Sequence, residues 1–449
     1  MGCFAVLSMT HRAGSRSAEG DKIRVQGSGW TRLLAGTHRR VVRAAVRVAR
    51  EQQVALYLVG GTVRDILLGE QPKDLDLMIK ARPRRFARKM AAQLNAEWHF
   101  EPRFLTASLL VEDHVIDLAR ARRETYAHAG ALPRVFPAAA AQDLMRRDFS
   151  VNAMAVALAG PGRGVLLDSC GGERDLRART LRVLHDRSFI DDPTRILRGI
   201  RLASRLGFSF EARTRRLAAA AVKSRAFESV SADRIRQEIF LLLQEPEPAN
   251  ALTLGKGLGL TRALLPGLRV GKRLSDALES ARGYGRILTP DERRDAMLLS
   301  VLAFSAHPLE GARRLGLSGS TLRAAKAMVR FRGSLAGRLR EARPSVVARI
   351  LDALPPQVIL ALACATTSQQ ARRQMLQYLR HWRFAKPKIT GDDLLRLGFA
   401  EGPALGAALR AARDAQLDGT ARTRTQQMRI ASARLRRDAG SSAPLRRPR

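Results

Sequence analysis

Cysteine is scarce in this chain of 449 residues: Cys3, Cys170 and Cys364 stand far apart. They have neither metal-ligand spacing nor the number for a disulfide framework, and such usage fits a reducing cytoplasm. No apolar run approaches the length of a membrane span, so no membrane partner is expected. The start, MGCFAVLSM, is too short for a secretory core and lacks a basic flank. Acid is scarce as well. Asp and Glu number 41 against 79 Lys and Arg, giving a formal net charge of +38 and a sequence pI of about 11.6. That imbalance favours a polyanionic partner, although GC-rich coding also raises Arg and Ala. The C-terminal half lacks the His-Asp pattern of metal phosphohydrolases, which argues against a second, hydrolytic activity. No fixed-period repeat is present.

A packed core is within reach, because 45% of the residues are hydrophobic. Residues 1–40 read as a disordered basic leader and 421–449 as a frayed helix with a disordered basic tail. Between them the pattern changes once. Residues 41–175 mix strands and helices: an apolar strand at 54–59, an amphipathic helix at Pro83–Leu94, strands at Thr106–Val111 and 115–118. Beyond residue 176 strand signals fade, and helices rich in Ala, Leu and Arg fill 176–245 and 246–420. Breaks near Pro248, Pro290 and Pro356 read as helix-to-helix turns. The fold class is therefore α+β, a small mixed-sheet head followed by a long helical part.

Chemistry concentrates near residue 60. The strand at 54–59 runs into Gly60-Gly61-Thr62-Val63-Arg64-Asp65, and the glycines let the backbone turn tightly beside a ligand. The helix-like sequence that follows would aim free N–H groups at the turn, a setting for phosphates. Asp74 and Asp76 alternate onto one face of the next strand. With Asp117 on a neighbouring strand, they suggest a pair of magnesium ions and a nucleoside triphosphate. Asp117 also suits a cap or an ion pair with Arg120 or Arg122.

Three further clusters follow. Arg146-Arg147-Asp148 with Asn152 offers arginines for phosphate or ribose, and Asp148 and Asn152 four apart for a sugar hydroxyl; a helix start with surface ion pairs fits equally. In Asp191-Asp192-Pro193-Thr194-Arg195-Ile196-Leu197-Arg198, Pro193 suits a first helical turn with Asp192 as N-cap. Asp192 and Arg195, three apart, offer an acceptor and a donor fork for the Watson–Crick edge of cytosine or adenine. A capped helix with an internal ion pair explains the same residues. Asp233, Arg234 and Glu238 suit either bracing ion pairs or a solvated helix face.

In this order the clusters resemble the class II tRNA nucleotidyltransferases and their bacterial poly(A) polymerase relatives, within the polymerase β-like superfamily. The resemblance runs over residues 56–243, with further likeness in the stretch from Ile389 to Leu394. It implies a nucleotidyltransferase head at 41–175, a base-recognising helical neck at 176–245, a tRNA-binding body and tail at 246–420, and a basic end at 421–449. Gly60, Gly61 and Arg64 would bind triphosphate, and Asp74 and Asp76 would carry two Mg²⁺ ions, with Asp117 the third catalytic carboxylate. Arg147, Asp148 and Asn152 match the ribose motif, Asp192, Arg195 and Arg198 the base-reading motif, and Asp233, Arg234 and Glu238 its support. Residues 120–142 match a flexible loop linked to adenine addition. The implied substrates are CTP and ATP and the implied partner a tRNA 3′ end, held by acceptor and T-arm, with no protein partner. Asp191 and Asp233 stand where Glu is usual, and Ser150 where Thr is. Gly199 stands where Ala is common, which costs about 1 kcal/mol in a helix interior and would loosen the neck. Full CCA addition, addition of A alone and poly(A) synthesis stay open, as does an RNA-binding protein with a decayed head.

Overall fold

In the computed structural model, residues 23–24, 33–34 and 36–440 are described. The leader expected over 1–40 and the end of the basic tail fall largely outside them. The chain divides into two compact units, Met1–Gly259 and Leu260–Arg449. No single helix among the described residues is long and apolar enough to cross a membrane.

The first unit opens with β1 (Ile23–Arg24), α1 (Gly36–Glu51), β2 (Leu56–Val59), α2 (Gly61–Leu67), β3 (Leu75–Ile79) and α3 (Pro83–Leu94). It continues through β4 (Glu97–Glu101), β5 (Thr106–Val111) and β6 (His114–Arg120). A separate hairpin pairs β7 (Arg122–Thr125) with β8 (Arg134–Pro137), and α4 (Ala140–Met145), β9 (Ala155–Ala159) and β10 (Val165–Leu167) complete the head. Eight strands form one mixed sheet, in the order β1-β10-β9-β2-β3-β6-β5-β4. Only β3 and β6 run parallel, and they place Asp76 directly opposite Asp117. β2 and β3 bury nearly every side chain, as their apolar runs LYLV and LDLMI require. Helices α1 and α3 turn their apolar stripes, including Val41, Val48, Phe86 and Met90, to the interior. Helix α1 starts at Gly36, so residues 36–40 belong to the folded head rather than to a leader.

The neck follows as α5 (Gly172–Arg177), α6 (Ser188–Asp191), α7 (Thr194–Leu206), α8 (Ala212–Lys223), α9 (Ala232–Gln244) and α10 (Pro248–Gly257). Helices α7, α9 and α10 pack on one another. The first unit ends after α10, at Gly259. Two short parallel strands, Thr180–Leu181 and Ser209–Phe210, also survive beyond residue 176.

The neck carries a correction. A β-carbon on Gly199 would lie 2.5 Å from Phe149 Cζ and 2.9 Å from the Phe210 ring. Phe149 is fully buried. The missing side chain therefore allows close packing of α7 on two aromatic rings, and the helix-propensity cost offsets a steric gain.

The second unit is helical: α11 (Leu260–Leu264), α12 (Lys272–Tyr284), α13 (Pro290–Ala303), α14 (Pro308–Arg314), α15 (Gly319–Phe331), α16 (Leu335–Leu339) and α17 (Pro344–Leu351). Then come α18 (Pro356–Ala365), α19 (Gln369–Arg380), α20 (Gly391–Leu395), α21 (Pro403–Leu417) and α22 (Arg424–Gly440). Helix α18, PQVILALACA, is apolar all round and buries residues on every side among α12, α13, α15 and α19. Pro248, Pro290 and Pro356 each start a helix, where a missing N–H costs nothing. The fraying expected of α22 does not occur over its buried face: Ala431 and Leu435 join a cluster with Ile389, Leu394, Ala408 and Ala412.

Candidate active site

The turn after β2 is built as its glycines require. Gly60 has φ +68°, and a β-carbon there would meet Arg147 Nη1 at 2.8 Å and Asp76 Oδ2 at 3.1 Å. Thr62 ties the turn to β3: its hydroxyl donates to Asp74 O at 3.1 Å and accepts from Asp76 N at 3.0 Å. The Asp76 carboxyl is pushed up to about 6 by burial, with Asp117 and Asp74 adding to the rise and Arg147 opposing it. Asp74 lies exposed just before β3, and Asp117 accepts from Ser108 Oγ at 2.7 Å rather than from Arg120 or Arg122.

Opposite the turn stands a guanidinium pair held by one buried carboxylate. Asp143, on α4, accepts from Arg146 at 2.8 and 3.0 Å on Oδ1 and from Arg147 at 3.1 and 3.3 Å on Oδ2. Oδ1 also accepts the Arg122 N–H at 3.1 Å. Burial alone would raise the Asp143 pKa; the two arginines outweigh it and hold the carboxyl below its ordinary value.

Arg64 departs from its expected place. It is buried, donates Nε to Asp65 Oδ1 at 2.8 Å and Nη1 to Asn152 Oδ1 at 2.6 Å. Asn152 in turn donates Nδ2 to Asp148 Oδ1 at 3.1 Å. Residues 150–152 form a 3₁₀ turn rather than the helix face expected. Asp148 then receives Arg198 Nε and Nη2 on Oδ2 at 3.1 and 2.9 Å. Arg198 also lies 3.9 Å from Glu238. One chain of polar contacts thus links α2, the 3₁₀ turn, α7 and α9.

Asp192 caps α7 as expected: Oδ1 accepts from Thr194 N at 3.1 Å and Thr194 Oγ1 at 2.6 Å. Arg234 Nη2 reaches the same oxygen at 2.9 Å, so α9 does brace the α7 cluster. Asp233 pairs instead with Arg236 of its own helix. Arg195 is buried, and both its terminal nitrogens are occupied. Nη1 donates to Ser188 Oγ at 2.8 Å and Nη2 to Arg146 O at 2.8 Å and Tyr126 OH at 3.3 Å. Tyr126 OH donates to Glu124 Oε2 at 3.0 Å, and burial first, then Glu124, pushes its phenol up to about 12.

These parts enclose one pocket of about 500 Å³, within the range of small-ligand sites. Of the residues to which the resemblance gave a catalytic, binding or supporting role, all but Asp74, Asp117 and Arg64 line it. Glu124, Tyr126, Arg146 and Gln237 line it too. The segment expected to be a flexible loop enters as the β7–β8 hairpin, whose Gly130 donates its N–H to Asp191 O at 3.1 Å and accepts from Arg234 Nη1 at 3.0 Å. The spacing of Asp143 from Arg146 and Arg147, three and four residues, is the sequence signal for that anchor.

Among the described residues no three ligating side chains converge as a preformed metal cage. Asp76 and Asp117 nevertheless set hard oxygen donors opposite one another on the adjacent central strands β3 and β6, with Asp74 just before β3, donor chemistry of the kind a divalent cation takes. Magnesium binds in this way, through one or two carboxylates completed by substrate phosphates and water.

The family model "Poly A polymerase head domain" matches residues 56–182. The A-adding tRNA nucleotidyltransferase of Geobacter sulfurreducens is 34% identical over 87% of this chain and 46% of its own length. That of Halalkalibacterium halodurans is 32% identical over 89% of this chain and 93% of its own. The chain spans about half the length of the first curated relatives it matches. A solved CCA-adding enzyme in complex with ATP superposes with a TM-score of 0.73 at 26% identity, covering 91% of this chain and 98% of that one. Nucleotidyltransferases of this kind generally use a divalent metal ion. By its fold and its similarity to a relative matched over 93% of that protein's length, the chain belongs to the class II tRNA nucleotidyltransferase and bacterial poly(A) polymerase family.

Proposed function

We propose that this protein adds CMP, AMP or both from CTP and ATP to the 3′ end of tRNA without a nucleic-acid template. The observation that carries the reading is the single pocket running from Gly60, Gly61 and Asp76 to Asp192, Arg195 and Arg198. It offers a phosphate-binding turn with carboxylates at one end and hydrogen-bonding side chains for a base at the other.

The 3′-hydroxyl oxygen of the RNA bonds to the α-phosphorus of the nucleotide. The bond from that phosphorus to the β-phosphate oxygen breaks, pyrophosphate leaves, and the hydroxyl proton passes to solvent. Gly60, Gly61 and Arg147 hold the triphosphate, Asp148 and Asn152 the ribose. Asp192 and Arg195 line the end that takes the base: Asp192 offers its carboxylate, braced by Arg234, while Arg195, whose terminal nitrogens go to Ser188, Tyr126 and Arg146 O, shapes the wall beside it. Arg198, itself near Glu238, holds Asp148, and Arg64 acts through Asn152. Asp74 and Asp76, with Asp117, would hold two Mg²⁺ ions, whose chemistry is to acidify the attacking hydroxyl and neutralise the leaving pyrophosphate. Basic helices hold the tRNA acceptor and T-arm through backbone and shape, in the cytoplasm. The A-adding activity named for both curated relatives supports AMP as a substrate. Poly(A) synthesis is the second reading, favoured by the name of the matching head-domain model.

Pyrophosphate release with tRNA, Mg²⁺ and each nucleotide tests the proposal. Asp76→Asn should lower release by about a hundredfold to a thousandfold, as loss of a group that stabilises developing charge does. Full activity in that variant would remove Asp76 from the metal site.

A further inference from the structure

The second unit contains a cavity that the proposed reaction does not use. It has a volume of about 580 Å³, and lies where the loop before α12 meets the ends of α13 and α18 and the start of α16. Its rim carries Arg269, Lys272, Arg273 and Arg332, and no Asp or Glu lines it. Its floor is apolar: Leu274, Leu335, Leu362 and Met375 are almost fully buried.

Two of the four cations have structural work. Arg332 donates Nη1 to Ala303 O at 3.0 Å and Ser305 O at 2.9 Å, closing the C-terminal end of α13. Arg273 reaches Ala365 O at the end of α18 at 3.5 Å and lies 5.8 Å from the Phe304 ring centre. The other two have little. Arg269 makes no side-chain hydrogen bond or ion pair among the described residues, and Lys272 meets only Asp276, at 3.5 Å with both side chains largely exposed. An ion pair so exposed contributes little.

Cations on one wall and buried aliphatic side chains on the other suit an amphipathic anion. The cavity is too large for inorganic phosphate alone and falls within the range of small-ligand sites. We propose that this cavity binds a nucleoside phosphate, its phosphate on Arg269 and Lys272 and its base on the Phe304, Leu335 and Met375 surface. The same chemistry is offered by a free nucleotide and by an unstacked nucleotide of a bound RNA. The inference stands on this cavity alone and does not require the proposed reaction.

Photolabelling of the full chain tests it, with azidoadenosine monophosphate as the free probe and a short thiouridine-containing oligouridylate as the RNA probe. Labelled peptides are mapped separately for this cavity and for the Asp76 pocket, so failure at one is distinguishable from failure at the other. Label is expected on the peptides carrying Phe304 or Met375. R269E/K272E changes two exposed side chains, and should lower that label about tenfold or more, the effect of losing a hydrogen bond to a charged group. A336W fills the cavity without changing charge and should lower it as much; both variants should leave label at the Asp76 pocket unchanged. Labelling by the monophosphate assigns a free-nucleotide site, and labelling by the oligonucleotide alone assigns an RNA subsite. No label here from either probe, or label that survives either folded variant, overturns the proposal.

Discussion

Arg198 places two nitrogens on one oxygen of Asp148, at 3.1 and 2.9 Å, and so joins the base-reading helix to the ribose motif. Burial would raise the Asp148 carboxyl; Arg198 and Asn152 overcome it and hold the group well below the usual carboxylate range. A depressed folded pKa adds stability that is fully present above the unfolded value of about 4 and is lost progressively as the pH falls below that value and through the lower folded one. The Arg198 side chain is 45% exposed, so solvent screens the pair.

Asp148→Asn should therefore cost about 2 kcal/mol at neutral pH, the scale of a charged hydrogen bond. Its difference from wild type should shrink steadily as the pH falls from about 5 toward 2. Denaturant unfolding across that range measures it; a constant difference at every pH would contradict the assignment.

Asp143 is the residue on which Arg146 and Arg147 converge, and it is fully buried. Asp143→Ala leaves two guanidiniums and the Arg122 N–H without their acceptor. Breaking a buried charge network in this way costs about 3–5 kcal/mol. The melting temperature should drop by several degrees, and KM for nucleotide should rise because Arg147 no longer holds its place at Gly60. An unchanged melting temperature would show that the three groups find other partners.

Gly199→Ala separates helix propensity from packing. Propensity favours Ala by about 1 kcal/mol. Overpacking against the rings of Phe149 and Phe210 costs about 1–3 kcal/mol. The variant should be less stable than wild type by thermal unfolding. A more stable variant would mean that the rings move aside freely.

Much of this site is legible in the amino-acid sequence. Gly60, Gly61, Asp76 and the capping role of Asp192 follow from local rules of turn, alternation and cap, and local rules survive folding. Glu124 and Tyr126 escape such rules because their partners Arg146 and Arg195 lie far along the chain; the spacing of Asp143 signals its pairing with Arg146 and Arg147, but not its burial or its bond from the Arg122 N–H. Arg64 and Arg195 look like free donors in the sequence, and tertiary packing spends them on Asn152 and on Ser188, Tyr126 and Arg146 O. Gly199 misleads for the same reason, since propensity says nothing of two aromatic rings brought from elsewhere. The head-to-helices architecture is legible from periodicity, whereas the unit boundary at Gly259 and the packing of α22 depend on contacts no window of sequence contains.

The most direct test of the proposed activity is nucleotide incorporation on three matched tRNA transcripts, ending before CCA, after the first C and after CC. CTP and ATP are supplied separately and together with Mg²⁺, and products are resolved at single-nucleotide length. Growth that stops at a completed CCA end is predicted, whether by three additions to the shortest transcript or by one A on the CC-ended transcript. Long ATP-only tails would assign the poly(A) reading, and no extension of any transcript would contradict the account.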